Sequence, residues 1–404
     1  MKYSRKKDCR CCKQKNLLLY LDLGKQPLAN SYHKGKKTPE IPLEVMLCRN
    51  CFHSQLSVVV NPDEMFKNYL YVSGTTATFR KHTEELAKDA VKRIKHKPIR
   101  VLDIACNDGT QLEHFRKLGC EVMGVDPAKN LRKITLAKKI PVLVDYWTQK
   151  NALSLRKKFD IITATNVFAH VDDIDEFLLA SKIVLADDGY LILEFPYADN
   201  LISNNEFDTI YHEHLSYFLV NSLKTAVERL GFRIADIIRT PIHGGSIRFF
   251  LRVGKAKHSD KVSRLIQSEK KKGLLNKKSY IAYSRRIKKN KKDMVLLVSK
   301  LKKTDKKVIG YGAGAKGNTM LNYFKINLDY IVDDNDLKWG WKTPGRNILI
   351  KGPSVLTEEK GNLYIVILSW NFYNEVVKKI KTLRSNAKDT AILCVPTVRQ
   401  RRIQ

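Results

Sequence analysis

The order of apolar runs and amphipathic stretches in this 404-residue chain predicts an α/β protein. It would have a doubly wound, mostly parallel sheet at its centre, a small cysteine-held unit before it and a second, small α/β unit after it. Three observations lead there. Strand-like runs alternate with helix-like stretches from residue 86 onward, a strand–glycine turn–helix pattern occurs twice, and two CxxC pairs stand within the first 51 residues. At roughly 100–200 residues per domain the length allows two to four domains. An apolar content of 43% excludes intrinsic disorder as the main state. The expected boundaries are 1–78, 79–254, a basic helical linker over 255–307, and 308–404.

In the first unit, Cys9-x-x-Cys12 and Cys48-x-x-Cys51 supply four thiolates, the closed tetrahedral shell that structural Zn²⁺ prefers. Cys11 is a spare that could replace Cys12, and a set of reduced, buried thiols with no metal is the alternative. A closed site has no open coordination position, so the metal's expected role is in folding, not catalysis.

In the second unit, strands are expected at Ile99–Ala105, Glu121–Val125, Val142–Val144, Phe159–Ala164 and Gly189–Phe195. Helices are expected at Gln111–Leu118, around Leu131–Lys138 and at Asp172–Leu185. Ligands of such sheets bind at the carboxyl ends of the strands, near the first crossover. The first turn there runs Asp103-Ile-Ala-Cys-Asn107-Asp108-Gly109, and Asp126 ends the second strand, where an acid can accept from both hydroxyls of a ribose. This spacing suits S-adenosylmethionine or a dinucleotide. Only Gly109 remains of a GxGxxG pattern, which favours a ligand without phosphates; a merely structural αβ turn is the alternative.

Past the fifth strand comes a dense polar stretch, Asn205-Glu206-Phe207-Asp208 and Tyr211-His212-Glu213-His214, while Asn166 and His170 follow the fourth strand. Histidines and acids gathered on one sheet edge fit proton abstraction, with a carboxylate fixing the imidazole's tautomer. A His/His/Glu metal site is the competing reading.

The formal charge of +33 is unevenly spread: +7 over 1–85, +3 over 86–254, +16 over 255–307 and +7 over 308–404. The excess therefore reads mainly as the solvated lysine face of helices, whose apolar positions Val262, Leu265, Ile266 and Met294, Leu297, Val298, Leu301 have helical spacing. In the last unit, Val308–Tyr311 is a strand, Gly312-Ala-Gly-Ala-Lys316-Gly-Asn318-Thr319 a glycine turn opening a helix, and Tyr330–Asp333 and Leu363–Ser369 further strands. The turn offers N–H groups and a lysine to phosphates but lacks the order of an NTPase P-loop.

Taken together, these residues resemble the nucleotide-sugar (keto-deoxysugar) C-methyltransferase family along nearly the whole chain. The resemblance rests on the two cysteine pairs, Gln26-Pro-Leu-Ala-Asn30, the Asn-Asp-Gly turn, Asn166-Val-Phe-Ala-His170, Glu194-Phe-Pro-Tyr197, Asn205 through Tyr211-His-Glu-His-Leu-Ser-Tyr217, His243-Gly-Gly-Ser-Ile-Arg248, and Gly310-Tyr-Gly through Thr319. Ala105 stands where that family usually carries glycine. The resemblance implies a class I Rossmann-like methyltransferase core with a small N-terminal zinc-binding domain and a C-terminal Rossmann-like domain. It further implies S-adenosylmethionine bound by Asp103, Asn107, Asp108, Gly109, Asp126 and Asn166, and His214 as general base, supported by Tyr211, Glu213, Asn166, His170 and a tyrosine of the first unit, Tyr71. The sugar nucleotide would lie between the last two domains, with Arg248, Lys316 and Asn318 as candidate contacts.

Two other classes are weighed against it. A zinc-containing RNA methyltransferase would use the basic linker, but a base-modifying enzyme should show positive charge around its pocket, and the central unit is nearly neutral. A noncatalytic zinc-binding assembly module would not bind S-adenosylmethionine. No apolar run approaches the ~20 residues of a membrane span, so the expectation is a cytoplasmic protein, monomeric or weakly oligomeric, with no membrane partner.

Overall fold

The computed structural model describes residues 3–35, 38–67, 69, 72–254, 257–304 and 306–403. At its centre seven strands stand in the order Phe232–Thr240, Ser246–Val253, Leu185–Pro196, Phe159–Thr165, Arg100–Ile104, Glu121–Val125, Val142–Leu143. Ser246–Val253 runs antiparallel to both its neighbours, and the other pairs are parallel. After Arg100–Ile104 the chain steps outward through two strands, then returns to the opposite side at Phe159–Thr165. The direction of winding thus reverses between these two strands, and their carboxyl ends open a crevice.

Alternation along the strands sorts side chains between two helical layers. Val101, Ile161, Ile192 and Phe250 pack with Leu86, Leu112 and Phe115, from the helices Ala77–Lys92 and Thr110–Lys117. Leu102, Ile162, Leu193 and Phe249 join a larger core with Phe177 and Leu178 of the helix Ile174–Val184. Because both faces are covered, these strands read as nearly continuous apolar runs. The expected elements appear with their ends moved by a few residues; Ile174–Val184 starts later than its apolar pattern because Asp173 caps it, accepting from the N–H groups of Asp175 and Glu176.

Two smaller sheets flank the centre. The N-terminal one pairs Leu17–Gln26, Ile41–Cys48 and Ser54–Leu56 antiparallel, and its fourth strand is Ser216–Tyr217, from the polar stretch after the fifth central strand. The C-terminal sheet has the order Ile350–Lys351, Ile331–Val332, Val308–Tyr311, Tyr364–Ile367, Thr390–Leu393, Arg399–Arg402, parallel except for the last strand.

The segment expected as a linker forms the helices Asp260–Lys271 and Lys277–Lys303. Tyr280, Tyr283, Ile287, Met294, Val298 and Leu301 make one buried stripe along the longer helix. Tyr20 of the N-terminal sheet packs edge-on against Tyr280 at 5.1 Å, and Asn290 donates to the carbonyls of Cys394 (3.1 Å) and Pro396 (2.8 Å). The helix is therefore a packed spine joining first and last units, with its charge turned outward. Replacing the exposed Lys277, Lys278, Lys288 and Lys292 by glutamine should change stability by no more than about 0.5 kcal/mol per site while weakening retention on a polyanion column, as thermal melts and elution salt would show.

Candidate active site

The first turn of the central sheet bends through three left-handed residues, Ala105 (φ 58°), Asn107 (φ 52°) and Gly109 (φ 76°). Only glycine adopts this conformation freely, so Ala105 carries a strain of about 1 kcal/mol. The Asn107 N–H donates to Asp126 Oδ2 and the Ala128 N–H to Asp126 Oδ1, both at 2.8 Å. Each Asp126 oxygen keeps a second lone pair for a ribose hydroxyl. Asp103 turns inward: its Oδ1 accepts from Thr163 Oγ1 (2.6 Å) and Gln111 Nε2 (3.0 Å), and burial pushes its carboxyl up to about 7. It braces the turn from beneath. Residues 72–76 lie over the turn from above, where the Ser73 N–H donates to Asn107 Oδ1 and the Gly74 N–H to Asp108 Oδ2. A Cβ on Gly74 would fall 2.3 Å from Thr110 Oγ1, so only glycine fits this approach.

Across the crevice, the Asn166 N–H donates to the Glu194 carbonyl at 2.7 Å, while its buried Oδ1 has no partner. A buried acceptor without a donor marks a place for a ligand's polar group. The Asn107–Gly109 turn, Asp126 and Asn166 fit an adenosyl ligand without phosphates, and these residues would hold S-adenosylmethionine.

His214 lies past the same edge. Its Nδ1 is 2.8 Å from the Thr209 carbonyl and its Nε2 2.7 Å from Tyr211 Oη. A carbonyl only accepts, so Nδ1 carries the hydrogen and Nε2 presents a lone pair to the Tyr211 hydroxyl. Burial holds this imidazole well below its ordinary range and so keeps it neutral. The ring of His170 lies 4.9 Å from that of His214, stacks on Phe66, and is lowered to about 4 by burial.

Several expectations change here. Glu213 does not orient His214: the Thr209 carbonyl does, and Glu213 instead accepts from Asn30 Nδ2 (2.6 Å) and Tyr69 Oη (3.3 Å) of the first unit. Burial pushes the Glu213 carboxyl up to about 7. His212 points away, with Nε2 3.2 Å from the Pro42 carbonyl. Arg248 is not free for a phosphate, because its Nε donates to Glu194 Oε2 at 2.7 Å across the antiparallel strand pair, and His82 joins the same carboxylate. Burial alone would raise Glu194, but the hydrogen bond from His82 and the charge of Arg248 hold it below the usual range. Asn318 is buried between units, its Nδ2 donating to the Ala29 carbonyl at 2.7 Å and its Oδ1 without a partner. Lys316 does face the site: its Nζ is 3.3 Å from the His243 carbonyl and 5.0 Å over the ring of Trp370, whose Nε1 donates to Asp208 Oδ2 at 2.7 Å. Tyr71 lies outside the described residues.

Sequence reasoning missed Thr209, which acts through a carbonyl that any residue could supply, and Asn30 and Tyr69, which meet Glu213 only through tertiary packing. The Asn205–Tyr217 polar density was the signal that could have pointed to Asp208.

The sulfurs of Cys9, Cys12, Cys48 and Cys51 lie within 4.8 Å of one another, and this is the one grouping among the described residues able to hold a metal; the His/His/Glu alternative finds no such cluster. Cys11, fully buried, stays outside it. Four thiolates and no open position suit structural zinc.

The sheet order, the crevice at its carboxyl edge and the four-cysteine cluster define a Rossmann-like methyltransferase with a zinc-binding unit. The description "Putative zinc binding domain" matches residues 9–66, "Methyltransferase domain" 79–237, and "C-methyltransferase C-terminal domain" 241–396. C-methyltransferase NovU of Streptomyces niveus is 30% identical over 393 residues, covering 94% of this chain and 93% of that protein. A ubiquinone biosynthesis O-methyltransferase of Rhodopseudomonas palustris (strain BisB18) is 36% identical over 98 residues, 24% of this chain and 39% of that protein. Among solved structures, the magnesium protoporphyrin IX methyltransferase of Synechocystis PCC 6803 with bound SAM aligns at a TM-score of 0.34 and 14% identity, over 44% of this chain and 79% of that one, too slight a likeness to reason from. The chain belongs to the C-methyltransferase family and is a methyltransferase dependent on S-adenosylmethionine. No helix among the described residues is long and apolar enough to cross a membrane.

Two outcomes are expected. Elemental analysis should find one zinc per chain, retained in Cys11→Ser and lost in Cys12→Ser together with a fall in thermal stability. Glu213, raised from an ordinary 4.5 to about 7, makes the folded chain hold a proton that the unfolded chain has released between those values. Its contribution therefore falls as pH rises from about 4.5 to 7. In melts, wild type should lose on the order of 2–3 kcal/mol relative to Glu213→Gln across that window.

Proposed function

We propose that the substrate is a nucleotide-linked 4-keto-deoxysugar, methylated at the carbon beside its ketone after His214 removes the proton there. The observation behind this is the His214–Tyr211 pair: an imidazole held in one tautomer by the Thr209 carbonyl, its lone pair on a phenol, in a buried site next to His170. A carbon beside a ketone becomes a nucleophile only when its proton is taken and the enolate oxygen is stabilised. S-adenosylmethionine, when bound, supplies an electrophilic methyl group.

The residues act in a linked way. In the resting site the Tyr211 hydroxyl donates to the single lone pair of Nε2; on substrate entry that hydroxyl turns away, and the freed lone pair takes the proton from the carbon. Once the proton rests on Nε2, that nitrogen becomes a donor to the Tyr211 oxygen, and the phenolic hydrogen is released toward the enolate oxygen. The Thr209 carbonyl accepts from Nδ1 in both states and so favours the imidazolium as it forms. Asn166 and His170 complete the wall, and Glu213 ties it to the first unit through Asn30 and Tyr69. The RNA-methyltransferase alternative gains nothing from the full-length relative, a C-methyltransferase.

Incubation with methyl-labelled S-adenosylmethionine and a panel of 4-keto sugar nucleotides should place label in the sugar; label found only in RNA would overturn the reading. His214→Gln should lower kcat by about 10²–10⁴-fold with the affinity for S-adenosylmethionine retained, and near-normal turnover would exclude His214 as the base.

A further inference from the structure

Arg10 stands between Cys9 and Cys12 in the first cysteine pair, and its side chain is wholly buried. A buried arginine requires partners for its charge and its five N–H groups. Its Nε and Nη2 lie 3.0 and 2.9 Å from Asp172 Oδ1, and its Nη1 donates to the Leu56 carbonyl at 3.0 Å. The Arg10 backbone N–H donates to Gln55 Oε1 at 2.8 Å, and Gln55 Nε2 donates to the Asp8 carbonyl at 2.9 Å, which holds the turn in place.

Both partners of the guanidinium lead to the catalytic edge. Asp172 is two residues past His170, in the loop that follows Phe159–Thr165. The Leu56 N–H donates to the carbonyl of Leu215, the residue after His214, at 3.0 Å. One side chain therefore stands between the two segments whose imidazole rings lie 4.9 Å apart. The surrounding contacts match it. Lys13 Nζ is 3.1 Å from Asp175 Oδ1, and Arg229 bonds to Asp175 Oδ2 at 2.8 Å while its Nε donates to the Cys11 carbonyl at 3.3 Å. The cysteine turn thus sets its cations on the acidic start of the helix Ile174–Val184, directly behind the His170 loop.

That loop needs such support. Among the described residues the His170 ring has ring contacts alone, with Phe66 and His214, and no hydrogen bond of its own. Its placement is therefore only as fixed as its backbone, which is anchored at Asn166 through the Glu194 carbonyl and at Asp173 through the helix cap. Between these anchors and the zinc-binding unit the Arg10–Asp172 pair is the tie. Resting on the proton-transfer reading above, we propose that Arg10 is a positioning residue for catalysis: it fixes the His170 loop against the His214 segment and so sets the spacing of the two rings. A lysine would keep the charge but could not bond the carboxylate and the Leu56 carbonyl in the same fork geometry.

Arg10→Lys, Asp172→Ala and His170→Ala test this, each with zinc content and the S-adenosylmethionine isotherm reporting a folded chain. Asp172→Ala reaches the contact without touching the cysteine turn, so it decides alone if Arg10→Lys loses zinc. Hydrogen exchange followed by mass spectrometry needs no substrate: amides of residues 167–176 should exchange at least about tenfold faster in Arg10→Lys and Asp172→Ala, with those of 103–109 unchanged. With the keto-sugar nucleotide that wild type methylates, both variants should lose on the order of 10–100-fold in kcat, with the affinity for S-adenosylmethionine retained. Adding Arg10→Lys to His170→Ala should slow turnover by no more than about twofold further, since residues acting through one another are not additive. Unchanged exchange, unchanged kcat, or losses that simply multiply in the double variant would each overturn the proposal. If no keto-sugar nucleotide is methylated by wild type, the substrate reading fails and the exchange measurement alone upholds or overturns the tie between Arg10 and the His170 loop.

Discussion

The stretch from Asn205 to Tyr217 is pinned from two sides, and the geometry proposed for catalysis depends on that. At its start Asn205 donates to Pro396 and Asp208 accepts from Trp370, both in the C-terminal unit. At its end Ser216 and Tyr217 add a strand to the N-terminal sheet, in register with Gln55 and Ser54. Between these anchors the Thr209 carbonyl and the Tyr211 hydroxyl set both nitrogens of His214. A backbone carbonyl can orient a ring only as well as its own chain is held, and here the chain is fixed by two domains other than the one that binds the cofactor. The four-cysteine cluster lies in the same unit, and zinc bound there would stabilise the sheet on which the segment is anchored.

The same packing explains the site's electrostatics. Burial lowers His170 and His243 to about 4 and His214 below its ordinary range, so the imidazoles are neutral at physiological pH. Burial also raises Glu213 and Glu206 to about 7. A buried pocket strengthens each hydrogen bond formed to developing charge, and the reversal proposed for the His214–Tyr211 bond would draw on that. Close to half of the chain's positive charge, +16 of +33, lies on 255–307, where the packed helices turn it outward.

Much of this was legible in the sequence where side-chain type and spacing carry the information. Nearly continuous apolar runs and the Asn-Asp-Gly turn pointed to the central sheet, paired CxxC motifs to the four-cysteine cluster, and the Tyr-His-Glu-His density to the candidate site. Three things were not legible, each for a physical reason. Thr209 acts through its backbone, which leaves no trace in residue identity. Arg248 looks like a free cation until the antiparallel register sets it opposite Glu194, a pairing that sequence distance conceals. The helix Lys277–Lys303 shows its apolar stripe to a periodicity reading, but not that the stripe is gripped by the first and last units together, because both partners lie far away along the chain.

The central claim is that the His214–Tyr211 pair takes a proton from the carbon beside the ketone before any methyl group moves. Solvent exchange tests it most directly: wild-type protein, the keto-sugar nucleotide it methylates, and S-adenosylhomocysteine in place of the methyl donor, in D₂O, with deuterium at that carbon followed by NMR. Enzyme-dependent deuterium incorporation in wild type, absent in His214→Gln, is the result expected. Incorporation at an equal rate in both would contradict it.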